Sequence, residues 1–530
     1  MKRILNDSMA LLFLRRLFGI IHIALSVLFK RKLSGPERLR IFFERTGGAF
    51  VKLGQILALR QDFLPFAYVV ELLKLLNNIR EVPFEKMKTV FAEEKGLPIE
   101  AVFASFDPTP IACASIGQVY KARLKDSRDD GNGGALVAVK IQRPEARKVF
   151  EADFALISFV AGFVDFFRIF SSVNAHEAAA DFISWTRREL DFTCEMKNAE
   201  ILYEHSAAHP RTVIPRQYPD LSSPRVLTQE FIEDGVALED IILNRVGERG
   251  LLEKGIDPDE MAVYLIADEM RQYFIDGFFH ADPHPANLLF LPGNKLVYFD
   301  FGIVGEADER RLLFLKILYG VAMKDIRLIS EQFMEFGEEV VGDKIKSYLQ
   351  MDIKGRRRAE KVFAKVKEIM ADDLEKELKE VLNPWFETVG DPDSSLKEKS
   401  AATVFLKIVN KAGKFGAQLP REAILFFRAL SILDMVALQV SSNFDIIKAL
   451  RRFFEKHPIE EIESMIMEGA HDKDAGEKIT PLTDVDWEFF REISALEKER
   501  MWAARERIVD LAVYYAERYD EVRSMLKNLK

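Results

Sequence analysis

The sequence predicts an α+β fold of two lobes, a small lobe carrying strands and then a larger helical one, with helical extensions at both ends. Three observations carry this. Residues 136–142 read LVAVKIQ, a β-branched run that alternates with period two. Residues 280–302 read HADPHPANLLFLPGNKLVYFDFG, which places short strands at 287–291 and 295–301 around a Pro-Gly-Asn turn. Beyond Gly305 the pattern is helical to the end, broken by turn-rich stretches at 390–395 and 469–481.

The elements follow in order. Residues 34–101 read as helices, entered through a capping box of Ser34 and Glu37. Residues 50–64 form one of them, stopped before Pro65, with Lys52, Gln55 and Leu59 on a shared face. Residues 112–119 (ACASIGQV) are small and turn-like, and the charged, Gly-rich 124–134 is a loop. After the 136–142 strand come helices at 145–169 and 177–204, then a strand at 225–232 (RVLTQEFI). A further helix starts with Asp257 as cap, Pro258 at its opening and Glu260 closing a box, and Gly277 ends it. Ile266, Met270 and Tyr273 line its inner face. A charged amphipathic helix or pair occupies 486–530. The expected domains are 1–33, 34–104, 105–232, 233–455 and 456–530.

At 530 residues the chain exceeds one average domain, and 48% apolar with 30% charged residues is globular. A net charge of −9 argues against nucleic-acid binding. The N-terminus is the exception: seven basic residues (Lys2, Arg3, Arg15, Arg16, Lys30, Arg31, Lys32) against Asp7 give a local +6. Its apolar run at 17–29 falls short of the about 20 residues that span a bilayer. It suits a helix lying in a membrane interface or packed on the protein's own core. Residues 423–440 come next in apolar character, but Arg428 and Asp434 interrupt them. Cys113 and Cys194 make no disulfide framework, which points to a reducing compartment. The expected location is cytoplasmic, peripheral at the inner face of the cytoplasmic membrane if the N-terminal helix is interfacial.

The chemistry concentrates in 280–302. Asp282 precedes Asn287 by five positions, and Asp300-Phe301-Gly302 follows. Protein kinases use this layout, an Asp at the acceptor and an Asn and Asp as hard oxygen ligands for Mg²⁺. Lys140 ends V-A-V-K, and alternation puts Ala138 and Lys140 on one strand face, for adenine and phosphates respectively. Its carboxylate partner must come from the helical stretch before the next strand, where Glu189, Asp191 and Glu195 stand. Glu230 and Ile232, at the end of the 225–232 strand, complete the expected nucleotide contacts. A glycine-rich loop is replaced by Ala112, Cys113, Ala114, Ser115, Ile116 and Gly117, small residues that let backbone N–H groups approach phosphate. A zinc-hydrolase reading of His280 and His284 lacks a third ligand in a chain with eight histidines.

These motifs together resemble the UbiB/AarF/ADCK family of atypical kinases. The resemblance rests on Lys52, Gly54 and Gln55 as K-x-G-Q, the alanine-rich loop, V-A-V-K-x-Q-R-P through Pro144, Glu189 and Asp191 as E-x-D, Glu195, H-A-D-P-H-P-(G)-N and D-F-G. It covers about 36–305 with specific motifs and 419–447 loosely. It implies a protein-kinase-like fold in which the K-x-G-Q extension occupies the place of a protein substrate, with Lys52 and Glu189 as an ion pair. It implies an ATPase or small-molecule kinase that takes ATP or ADP with Mg²⁺ and serves ubiquinone or other prenyl-lipid metabolism. A prenyl lipid or quinone precursor, a membrane surface and a second copy are the implied partners. A nucleotide-gated lipid-handling scaffold is the alternative, and a protein kinase, lacking an A-P-E segment, the weaker third. The chain departs from the pattern at Cys113, at Ala286 in place of a glycine, and in lacking the C-terminal membrane hairpin.

Overall fold

The computed structural model describes residues 2–30, 33–58, 68, 71, 72, 75, 81–125, 134–166, 175–335, 353–391, 393–414 and 421–472. The expected helix at 486–530 lies outside them, as do most of the 469–481 break, the far ends of the 50–64 and 145–169 helices and the loop at 126–133. The described residues form two compact units: one within 2–201 and 215–233, the other within 202–214 and 234–472.

The first unit opens with helices α1 (Lys2–Leu28), α2 (Gly35–Thr46) and α3 (Gly48–Ala58). The Ser34–Glu37 capping box forms in full at the start of α2. Helix α1 runs unbroken through Arg15 and Arg16, and Arg16 turns towards the interior. The reason is a buried partner: Arg16 Nε and Nη2 donate to Asp153 at 2.7 and 2.8 Å, and Nη1 donates to the Thr46 carbonyl at 3.0 Å. One side of α1 thereby packs against the unit. The other side exposes Leu14, Phe18, Ile21, Leu25 and Leu28 at alternating steps of four and three.

Helices α4 (Phe84–Lys95) and α5 (Ile99–Val102) lead into an antiparallel sheet of β1 (Phe103–Phe106), β2 (Ala112–Cys113), β3 (Gly117–Leu124), β4 (Leu136–Gln142) and β6 (Val226–Glu230). Strand order is β1-β3-β4-β6, with β2 on β3. Val137, Val139 and Ile141 of β4 face Met87, Val90 and Phe91 of α4 in one apolar cluster. Ala138 and Lys140 therefore take the opposite face. Behind this sheet lie α6 (Ala146–Phe166), α7 (Ala175–Glu189) and α8 (Phe192–Ser206). The sequence pattern reads 177–204 as one helix; the structure breaks it at Leu190–Asp191. Asp191 accepts from the Thr193 N–H at 3.0 Å and its hydroxyl at 2.6 Å, so it starts a new helix.

The second unit holds two small sheets, β5 (Thr212–Val213), β10 (Lys295–Tyr298), β9 (Leu288–Leu291) and β7 (Val236–Ala237) in one, and β11 (Val304–Glu306) with β8 (Phe278–His280) in the other. The β9–β10 turn takes positive φ at Gly293 and Asn294 (79° and 59°), as its Pro-Gly-Asn sequence requires. Short helices α9 (Leu238–Ile242) and α10 (Glu248–Glu253) precede α11 (Pro258–Arg271). Asp257 caps α11, but Glu260 does not close the expected box. Its carboxylate is taken by Arg211 at 2.8 Å, and the Asp257 N–H goes to Asn294 at 2.7 Å instead. A π-helical turn at Gln272–Asp276 separates α11 from Gly277, which sits at φ 71°.

The remaining helices are α12 (Arg311–Met323), α13 (Ile353–Thr388), α14 (Leu396–Lys399), α15 (Ala401–Lys414), α16 (Arg421–Val440), α17 (Ile446–Lys456) and α18 (Ile459–Asp472). Residues Glu422–Val440 are long and apolar enough to cross a membrane by length and composition. They pack as a core helix of this unit, burying Phe426, Leu430, Leu433 and Ala437, with Tyr273 stacked on Phe426 at 3.9 Å.

Candidate active site

The first unit assembles two ion pairs from the 189–195 segment. Lys140 Nζ donates to both carboxylate oxygens of Glu195 at 2.8 Å, and the Phe192 ring lies 5.2 Å from the same nitrogen. Lys52 Nζ lies 2.8 Å from Glu189 and 4.8 Å from the Trp185 ring. The break between α7 and α8 falls between the two glutamates. Glu189 ends one helix, Glu195 sits in the first turn of the next, and each meets a different lysine. Asp191 serves as the cap between them and meets neither lysine in these contacts. Both pairs are more than four-fifths shielded, so water screens them less than surface pairs.

Gly54 of the K-x-G-Q helix is needed for packing. A Cβ there would stand 2.8 Å from the Phe43 ring and 2.7 Å from Leu75. The Gln55 side chain lies outside the described residues.

The alanine-rich segment is a tight hairpin. Ala112 and Cys113 pair with Val119 and Gln118, and the Ala114 N–H donates to the Gly117 carbonyl at 2.8 Å. Ser115 and Ile116 turn between them. Arg143 fixes the hairpin through its Nε to the Ala114 carbonyl at 3.0 Å. A Cβ on Gly117 would lie 2.8 Å from the Ile141 carbonyl, so only glycine permits this approach to β4. Burial pushes the Cys113 thiol up, which disfavours a reactive thiolate. Gln118, fully buried, bonds the Val82 backbone and Tyr120 and so faces the interior. Strand β6 ends at Glu230, whose carboxylate accepts from the Arg216 N–H at 3.1 Å. Ile232 follows in irregular, half-buried chain.

The second unit carries Asp282, Asn287 and Asp300. Gln272, in the π-helical turn, accepts the His280 N–H at 3.0 Å and donates to Asp268 at 2.8 Å. The His280 Nε2–H donates to the Asp300 carbonyl, and burial holds its imidazole below the ordinary range. His280 is thus a neutral strut for the D-F-G segment, and no group of three or more His, Cys, Asp or Glu among the described residues could hold a metal ion. Asp300 Oδ1 accepts the Gly302 N–H at 3.0 Å. Asn287 ends the 3₁₀ turn Pro285–Asn287 and accepts from the Phe299 N–H through its carbonyl. Ala286 is exposed and strains nothing; its N–H donates to His284 Nδ1 at 3.2 Å.

Two features escaped sequence reasoning. Arg428 of α16 donates through Nη2 to Asp282 at 2.7 Å. The sequence showed it only as a charge interrupting an apolar run, 146 positions away. Asp268, fully buried, gathers Thr212, Arg271, Gln272 and Tyr298 onto one carboxylate and so ties β5 and β10 to α11. The sequence carried no signal for it, since Asp268 lies about 200° around the helix from Ile266 and so off the predicted inner face.

A five-stranded antiparallel sheet with its lysine–glutamate pair, followed in the chain by the Asp-Asn-Asp set, defines a protein-kinase-like fold. Residues 74–333 match the family described as the ABC1 atypical kinase-like domain, and the chain carries a domain of that kind over those residues. Among curated relatives, Protein ACTIVITY OF BC1 COMPLEX KINASE 3 of Arabidopsis thaliana is 29% identical over 418 residues, 79% of this chain and 52% of that protein. An uncharacterized Clostridium pasteurianum protein from the hydrogenase 1 5′ region is 33% identical over 311 residues, 58% of this chain and 56% of that one. The chain thus spans about half the length of these relatives. A Mycobacterium tuberculosis protein solved in complex with erythromycin shares the fold at a TM-score of 0.50 and 22% identity, over 78% of this chain and 93% of that one.

Proposed function

We propose that this chain is an atypical kinase or ATPase that binds ATP or ADP with Mg²⁺ and serves ubiquinone or other prenyl-lipid metabolism at a membrane surface. The observation that carries the nucleotide half is the bidentate Lys140–Glu195 pair, held on the strand face beside Ala138. A lysine so fixed presents its charge in one orientation, as phosphate positioning requires. Ala138 leaves room for a purine on the same face, and Ala112, Cys113, Ala114, Ser115 and Gly117 offer a backbone approach to phosphate. Glu230 and Ile232 bound the adenine end.

Asn287 and Asp300 present the oxygen donors that suit Mg²⁺, and His280 and Gly302 fix the Asp300 backbone and one of its oxygens. These two would hold the ion, which supplies neutralisation of phosphate charge. Asp282 orients the acceptor hydroxyl or water and takes its proton. Lys52, Gly54, Gln55, Glu189 and Asp191 restrict the acceptor to something smaller than a protein segment. The exposed apolar stripe of α1 supports a peripheral membrane contact.

ATP turnover with Mg²⁺ tests the proposal. Wild type is expected to turn over and Asp300→Asn to lose at least about tenfold, as for a metal ligand. Lys140→Met is expected to lose the thermal shift that nucleotide produces. Turnover retained by both variants would rule out this site. The nucleotide-gated scaffold is the second reading, favoured by the Lys52–Glu189 pair, which holds the K-x-G-Q helix to α7. A nucleotide-induced thermal shift with no turnover would select it.

A further inference from the structure

The second unit contains a cavity of about 360 Å³, between the 208–211 loop, α11 and the C-terminal part of α17. None of Asp282, Asn287 and Asp300 is among its lining residues. Its walls are apolar and aromatic, from Val263, Ala267, Ala449 and Phe453, with the Tyr264 ring on one side. The size and lining suit a small organic molecule.

The charge is one-sided. Arg211, Arg271, Arg452 and Lys456 line the cavity; Glu260 compensates Arg211, and Asp268 with Asp276 compensates Arg271, which leaves the surplus on Arg452 and Lys456. Arg211 is fixed by Glu260 at 2.8 Å and the Asn294 carbonyl at 2.9 Å, and its guanidinium stacks 4.1 Å from the Tyr264 ring centroid. Tyr264 is held in turn by Thr212 at 2.8 Å. Arg271, buried, is fixed on Asp268 at 2.8 Å. Arg452 and Lys456 lie one turn apart on the exposed side of α17, and neither makes an ion pair among the described residues. Two rigid cations and two unspent ones therefore surround an apolar chamber.

We infer that this cavity is a binding site for a small phosphomonoester, its apolar or aromatic body against Tyr264 and Phe453 and its phosphate between Arg211, Arg452 and Lys456. A phosphomonoester carries about −1.5 to −2 at neutral pH, which matches the surplus where a monocarboxylate leaves half of it uncompensated. Charge-assisted bonds to guanidinium groups supply the specificity. The field inside has the required sign. Burial first, and then Arg271, hold His209 below the ordinary imidazole range, while burial and then Lys456 do the same to His457.

Calorimetric titration of the full chain with phenyl phosphate, phenol and inorganic phosphate tests the site. Phenyl phosphate is expected to bind saturably and at least about tenfold more tightly than phenol, the worth of one or two charge-assisted contacts. In the Arg452→Ala/Lys456→Ala double variant, whose side chains are exposed and unpaired, its affinity is expected to fall about tenfold. Asp300→Asn is expected to bind phenyl phosphate as wild type does, which separates this cavity from the nucleotide motifs. No saturable binding by wild type, equal binding by the double variant, or a loss confined to Asp300→Asn would each overturn the inference.

Discussion

At the scale of single residues, the Asp282–Arg428 contact bears most directly on chemistry. A carboxylate held by a guanidinium at 2.7 Å has one oxygen already occupied and is less available to a hydroxyl group. Arg428→Leu is therefore expected to raise turnover several-fold and to leave nucleotide affinity unchanged; steady-state kinetics check this, and a fall in turnover would show that Arg428 assists instead. Asp434, also on α16, pairs with no cation among the described residues. It accepts from the Ala401 N–H at 2.8 Å and the Ser400 hydroxyl at 3.3 Å, its Oδ1 has no partner among the described residues, and burial pushes it up to about 7. The unfolded chain gives up this proton near 3.8. Between those values the folded state holds more protons than the unfolded one, so stability falls as pH rises through the window. Asp434→Asn keeps the acceptor and removes the titration. Its melting temperature is expected to decline less than that of wild type from pH 4 to 8; parallel profiles would count against a proton on Asp434.

At the scale of elements, close approach decides what sequence may occupy a position. Gly54→Ala places a methyl group inside the Phe43 ring contact, which forces α3 away from α2. The expected cost is about 1–3 kcal/mol, as for overpacking of a filled core, seen as a lower midpoint in urea. An unchanged midpoint would mean that the two helices adjust freely. The break at Leu190–Asp191 sets the surroundings of both pairs: Glu189 ends one helix, Asp191 caps the next, and Glu195 sits in its first turn. The apolar periodicity at 177–204 continues across the break, which is why it reads as one helix. Strand β4 was legible to the residue, because V-A-V-K-I alternates and both of its neighbours are strands.

At the scale of the whole chain, α1 separates two roles that its sequence mixes. Arg16 is an interior group serving Asp153, while Phe18, Ile21, Leu25 and Leu28 face outward. Phe18→Glu/Leu25→Glu is expected to abolish flotation with anionic liposomes at an unchanged melting temperature. Arg16→Ala is expected to lower the melting temperature, since it strands a buried carboxylate at a cost of about 3–5 kcal/mol. Flotation equal to that of wild type in the first variant would remove the membrane contact from the proposed function.

The sequence by itself determined the α+β class, the strand that carries Lys140, the order of the Asp-Asn-Asp set and the capping of α2. Each is set by neighbours within a few positions, through alternation, turn chemistry or the spacing of residues along one loop. Tertiary structure decided which acid meets which lysine, that His280 supports the Asp300 backbone, that Arg428 reaches Asp282, and that Arg211, Arg452 and Lys456 share one cavity. Apart from Arg452 and Lys456, which share a helix, those partners stand from 20 to 245 positions apart in the chain. Local periodicity says which side of an element a residue lies on; the packing of whole elements chooses what stands opposite it.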